Sequence, residues 1–166
     1  MTAFDPRAVV LEWYEAHKDN LYWYLFALLR NHGDVEDVMQ TAFIALAQKG
    51  EALRAVRHPK SYLYQLARYQ AYKVITARTQ HPAEALFPGT AAVEPFDGYI
   101  TRECAEWALG LLEPQERELI IMRACDRMTF AEIARVTNCM LPTAATRYFR
   151  TLKKLQSLVE DHHEST

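Results

Sequence analysis

The stretch that most constrains this chain runs from Thr129 to Lys154, which has the pattern of a helix-turn-helix. Thr129-Phe-Ala-Glu132 has capping-box spacing, in which the Thr hydroxyl accepts from the third amide and the Glu reaches back to the first. A short helix with Ile133 and Ala134 inward follows, a break falls at Thr137-Asn138-Cys139-Met140, and a second helix starts around Pro142-Thr143. At helical period, Tyr148, Leu152, Leu155 and Val159 share one face of that second helix, and Thr143, Arg147, Arg150 and Lys154 share the opposite one. An apolar side for a core and a basic side for solvent suit a helix laid into the major groove of duplex DNA.

A nucleic-acid partner is unexpected for a chain whose formal charge is −2, until the distribution of charge is read. Between Glu51 and Glu84 there is no acid, while Arg54, Arg57, Lys60, Arg68, Lys73 and Arg78 supply six cations. Between Glu132 and Glu160 there is again none, with Arg135, Arg147, Arg150, Lys153 and Lys154 present. From His81 to Gly110 five acids stand against Arg102 alone. Two basic blocks thus flank an acidic bridge. Each block is either a solvated helix face or a phosphate-binding surface.

The pattern is helical throughout the 166 residues, and no alternation of strand type occurs. Arg7 to Leu29 lacks Gly and Pro, and Asn31-His32-Gly33 ends it. Asp34 is the expected N-cap of the next helix. There Val35, Val38, Met39, Ala42, Phe43 and Leu46 form an apolar stripe, with Glu36, Asp37, Gln40 and Thr41 opposite. Pro59 opens a third helix to about Arg78, with Leu63, Leu66, Ala67, Gln70 and Val74 as its inner face. From Gln80 to Gly98 three prolines, two glycines and no period predict a linker. A helix near Ile100 to Leu112 and one opened by Pro114 precede the helix-turn-helix. The expected architecture is all-α: a helical module over 1–79, a linker over 80–99 and a second module over 100–161.

The third helix interleaves Tyr62, Tyr64, Tyr69 and Tyr72 with Arg68, Lys73 and Arg78. Two readings stand. Tyr and Arg are amphipathic and cover small helical cores; alternatively the rings form a platform for unstacked bases, with the cations neutralising the strand's phosphates. No Ser-His-Asp arrangement, phosphate loop or metal-ligand spacing is recognisable, so neither an enzyme nor a cofactor is expected. Cys104, Cys125 and Cys139 have no paired spacing and read as small apolar residues in a reducing compartment. The apolar run Leu21 to Leu29 is far short of the roughly 20 residues that cross a bilayer. With no secretory leader pattern, a cytoplasmic protein without membrane insertion is expected. His162-His163 is expected to lie in a frayed polar tail.

Four segments, taken in order, resemble a known family. Asp34-Val-Glu-Asp-Val-Met-Gln-Thr-Ala-Phe43 is similar to the D-x-E-D-x-x-Q-x-x-F signature of region 2 in bacterial sigma factors. Ser61-Tyr-Leu-Tyr-Gln-Leu-Ala-Arg68 resembles the W-L-x-x-I-A-R segment that follows, with Tyr62 in place of Trp. Ala108-Leu-Gly-Leu-Leu-Glu-Pro-Gln-Glu-Arg117 resembles the entry to region 4, and Thr129-Phe-Ala-Glu-Ile-Ala134 the opening of its helix-turn-helix. The two-module length resembles the extracytoplasmic-function group, which keeps only regions 2 and 4.

The resemblance implies a promoter-recognition subunit of RNA polymerase, with core polymerase, promoter DNA and an anti-sigma factor as partners. By position it places Asp34, Glu36, Asp37 and Gln40 near the polymerase contact. It places Lys60, Arg68, Tyr69, Tyr72 and Lys73 at the minus-10 strand, and Thr143, Thr146, Arg147, Arg150 and Lys154 at the minus-35 duplex. Departures are specific: Tyr69 and Lys73 stand where Asn and Asp are usual, Pro142 where Gly is frequent, and Ala145 where Lys is usual. Two other readings predict different behaviour. A sigma mimic binds polymerase or an anti-sigma factor without reading promoters; an ordinary helix-turn-helix regulator binds its DNA without polymerase.

Overall fold

A computed structural model describes residues 3–80 and 102–165. The described residues are helical and contain no strand. They fall into two compact units, one holding the first three helices and the other the last four. The expected linker falls outside the described residues except for Gln80, which ends a helix.

In the first unit α1 is Pro6–Leu29, α2 His32–Gln48 and α3 Pro59–Gln80, with a 3-10 turn at Gly50–Ala55. Asp5 caps α1 by accepting from the Arg7 amide at 3.0 Å, and Pro6 supplies a preset φ at the first helical position. The helix closes on Arg30 in the left-handed region, whose amide returns to the Phe26 carbonyl at 2.8 Å. The reversal leaves Asn31 extended, and Asn31, not Asp34, caps α2: its Oδ1 accepts from the Asp34 amide at 2.9 Å. A Cβ at Gly33 would meet that oxygen at 3.3 Å, so the turn favours glycine there. The core joins Leu21, Tyr24, Leu25 and Leu29 of α1 to Val35, Val38, Ala42 and Leu46 of α2 and Leu63, Tyr64, Ala67 and Ala71 of α3. Arg78, near the end of α3, fastens all three helices. It donates to the Leu29 carbonyl at 2.6 Å and pairs with the Asp34 carboxylate.

In the second unit α4 is Arg102–Gly110, α5 Pro114–Ala124, α6 Phe130–Thr137 and α7 Leu141–Glu164. The capping box closes as the spacing predicts: Thr129 Oγ1 accepts from the Glu132 amide at 3.1 Å, and Glu132 Oε1 from the Thr129 amide at 3.3 Å. Asn138, with φ 53, ends α6, and the Cys139 amide returns to the Ala134 carbonyl at 3.0 Å. Leu109, Leu112, Ile120, Met122, Met128, Ile133, Val136, Tyr148, Leu155 and Val159 are buried. The expected frayed tail is helical instead. α7 runs on to Glu164, and the His162 ring stacks on Trp107 of α4 at 4.4 Å.

Candidate nucleic-acid interfaces and an acidic helix face

α7 is amphipathic because its buried residues, Ala144, Tyr148, Thr151, Leu155 and Val159, recur every three or four positions. Thr146, Arg147 and Arg150 are exposed on the other side, and Thr143 is half-buried at its start. Lys154 lies on the same arc, but its ammonium is engaged within the unit: Nζ donates to Glu116 Oε1 at 3.1 Å and Oε2 at 3.0 Å. Glu116 in turn accepts from the Glu113 amide at the head of α5. Burial pushes the Glu116 carboxyl up, yet the Glu113 amide and the Lys154 ammonium outweigh it and hold the group below its usual range.

Where α6 meets α7 there is an aromatic cluster that the sequence reading did not single out. The Phe130 ring lies 5.5 Å from Tyr148 and 5.7 Å from Phe149, and the Arg123 guanidinium sits 4.6 Å over it. Arg123 also donates to the Met128 carbonyl at 2.9 Å, which fixes the turn before the capping box. The signal was present as four aromatic or cationic residues spread over three helices, a spacing that no single-helix periodicity detects.

On α3 the cations lie over rings one turn away. The Arg68 guanidinium is 4.5 Å from the Tyr72 ring centre, and the Lys73 ammonium 5.4 Å from that of Tyr69. Tyr69 is 64% exposed and offers its ring to solvent. Tyr64 does not share that face. It is fully buried, with its ring 5.0 Å from Tyr24, so the row of four tyrosines divides between core and surface. Lys60 is half-buried at the start of α3. Burial, and after it the Lys60 charge, pulls the His17 imidazole of α1 below its usual value.

On α2 Glu36, Asp37 and Gln40 are exposed together. Asp34 stands apart from them, half-buried against Arg78. Beside Glu36, Tyr22 hydrogen-bonds His32 Nδ1, and the His32 ring stacks on Phe26 at 4.6 Å. Burial, and then Glu36, pushes the Tyr22 phenol up. Further along the same exposed face Ile44 is uncovered, and Tyr14 packs edge-on to Phe43 at 5.1 Å. Among the described residues no group of three or more His, Cys, Asp or Glu is placed to hold a metal ion. None of their helices is long and apolar enough to cross a membrane.

Residues 13–80 match the family described as Sigma-70 region 2, and residues 102–155 match Sigma-70, region 4. The chain is 26% identical over 143 residues to the ECF RNA polymerase sigma-E factor of Escherichia coli (strain K12), spanning 77% of this chain and 75% of that protein. It is 25% identical over 143 residues, with the same shares, to the factor of that name from Salmonella typhimurium (strain LT2). Among solved structures it resembles the sigma factor RpoE in complex with the anti-sigma factor NepR from Bartonella quintana. That likeness has a TM-score of 0.67 and 21% identity, over 93% of this chain and 96% of that one. CnrH, in complex with the cytosolic domain of CnrY, matches with a TM-score of 0.67 and 18% identity, over 93% and 90%.

Proposed function

This chain belongs to the sigma-70 family, in its extracytoplasmic-function group, and is a promoter-recognition subunit of RNA polymerase; on that premise we propose how its residues divide the work. A transcription-initiation factor of this kind supplies recognition, and polymerase supplies the chemistry. We assign the minus-35 duplex to α7, through Thr143, Thr146, Arg147 and Arg150. The observation that carries the assignment is the single arc of α7 on which Arg147 and Arg150 stand exposed, opposite a buried stripe and with no acid between Glu132 and Glu160. Lys154 lies at the edge of this surface, where Glu116 already compensates its charge.

The minus-10 strand is assigned to α3. Tyr69 and Tyr72 are the stacking surfaces, Lys73 and Arg68 the cations over them, and Lys60 a phosphate contact at the helix start. Glu36, Asp37 and Gln40 form the polymerase-docking face of α2, with Asp34 acting through Arg78 to hold that helix in place. The module limits of 1–79 and 100–161, the linker over 80–99 and a cytoplasmic location accompany this reading. RpoE of Bartonella quintana is bound by an anti-sigma factor; for this chain too we propose an anti-sigma protein as the regulator, competing with polymerase or promoter.

The test is in vitro transcription with purified core polymerase and a promoter library. The expected result is start-site-specific transcripts only when this chain is added. Specific DNA binding by the isolated chain without polymerase would overturn the division of labour, and so would a complex with core that selects no promoter.

A further inference from the structure

Met140 is the most exposed large apolar side chain among the described residues, with 74% of its surface open. It is not placed there by disorder of the turn. Asn138 in the left-handed region and the Cys139 amide on the Ala134 carbonyl fix the chain just before it. Its own carbonyl accepts from the Ala144 amide at 3.0 Å and so opens α7. Met140 is the extended N-cap of α7, and Thr143 and Arg147 follow it in the first two turns of that helix. Met140 therefore stands exposed at the N-terminal end of the helix assigned to duplex DNA.

The residues of that leading stretch are chemically unusual for a reader of base edges. From Met140 to Thr146 the side chains are Met, Leu, Pro, Thr, Ala, Ala and Thr, with no amide and no cation before Arg147. N-terminal residues of a recognition helix meet base edges in the major groove. The apolar feature of that groove is the thymine C5-methyl group. The absence of acid between Glu132 and Glu160 lets this end of the helix approach phosphates without repulsion.

We infer that the Met140 thioether reads a thymine methyl in the minus-35 element, making this position a specificity-determining contact. The inference rests on the assignment of α7 as the duplex reader. Promoter preference is thereby tilted toward an A·T pair at one position, chosen by shape and apolar contact rather than by a hydrogen bond.

The test uses holoenzyme reconstituted from core polymerase and this chain, on a promoter drawn from the library. Each thymine of the minus-35 element, on both strands, is replaced singly by deoxyuridine, which removes the methyl and keeps the pairing. One replacement should weaken binding by wild-type holoenzyme about fourfold, the cost of one lost methyl burial. Met140→Ala holoenzyme should bind the thymine promoter more weakly and lose the difference between the two bases, whereas Met140→Leu should keep it. If no replacement affects wild type, or if Met140→Ala retains the full difference, the inference is overturned. Arg147→Ala separates this from failure of the underlying assignment: if that variant depends on the minus-35 element as strongly as wild type does, α7 is not the reader.

Discussion

α3 and α7 are both long helices rich in cations, yet they present charge differently. On α7 the apolar and basic residues segregate to opposite sides, and Arg147 and Arg150 stand exposed across from the buried stripe. On α3 the cations rest on the rings of Tyr69 and Tyr72, and a third tyrosine, Tyr64, is spent on the core. Free cations on a regular face match the fixed, dense phosphate spacing of a duplex. Cations held over aromatic faces favour a strand whose bases are already apart, since the ring and the charge then act on one nucleotide. The difference teaches that cation count alone does not assign a helix to duplex or single strand; what the cations touch does.

The largest effect is expected at Arg147. Arg147→Ala should reduce use of the minus-35 element by about thirtyfold, equivalent to about 2 kcal/mol of base or phosphate contact, with core binding unchanged. Footprinting and a core-binding assay on the same preparation check it, and equal loss of both would merge the two helices' roles. Tyr69→Ala comes next. Losing one stacked base costs about 1.4 kcal/mol, roughly tenfold, and should fall on strand opening rather than on closed-complex formation. Permanganate reactivity of the melted region against time distinguishes the two steps; a pure binding defect would make α3 resemble α7 and erase the contrast.

Much of this contrast was open to sequence reasoning, because it is carried by local patterns. The capping box at Thr129–Glu132, the stop at Asn138 and the segregation of α7 all depend on residues within two turns of each other. The fate of Tyr64 was also written locally: Leu63, Tyr64, Ala67 and Ala71 lie on one side of α3, and the small alanines there leave room for an aromatic neighbour. Its amphipathic ring concealed this. What stayed hidden are the pairings across long separations. Asp34 meets Arg78 at 44 residues' distance and Lys154 meets Glu116 at 38, and no periodicity within one helix announces either. Each gives a residue of an expected contact surface a partner within its own unit. The N-cap of α2 differs from the expected Asp34 for a related reason. Asp and Asn cap equally well, and the choice fell to Asn31 once Arg30 entered the left-handed region.

Smaller effects sharpen the division between contact and scaffold on α7 itself. Arg150→Ala should lower the slope of log binding against log salt by about one, as each lost phosphate contact does. Lys154→Ala should leave that slope unchanged, since its charge is already matched by Glu116. Ala145→Lys, which restores a cation usual in the family, should steepen it by about one. A change in slope for Lys154→Ala would return that residue to the DNA surface and show that Glu116 releases it on binding.

The smallest expected effect is on stability, and it concerns the same ion pair. The Glu116 carboxyl is held below its usual value of 4.5, so the folded state favours its ionised form. A group of this sign stabilises above its unfolded value and loses that contribution as pH falls through the folded one. Wild type should therefore exceed Glu116→Gln in thermal stability at neutral pH and converge with it as pH drops below about 4.5, the unfolded carboxyl value. The gap should be under about 1 kcal/mol, because the pair is partly solvated and exposed pairs contribute little. Lys154→Met should show a smaller pH dependence than wild type but not abolish it, since the Glu113 amide still holds the carboxylate. If Lys154→Met instead removes the dependence entirely, the ammonium and not the helix cap governs Glu116. That ion pair between α5 and α7 would then weaken with salt as the DNA contacts of α7 do.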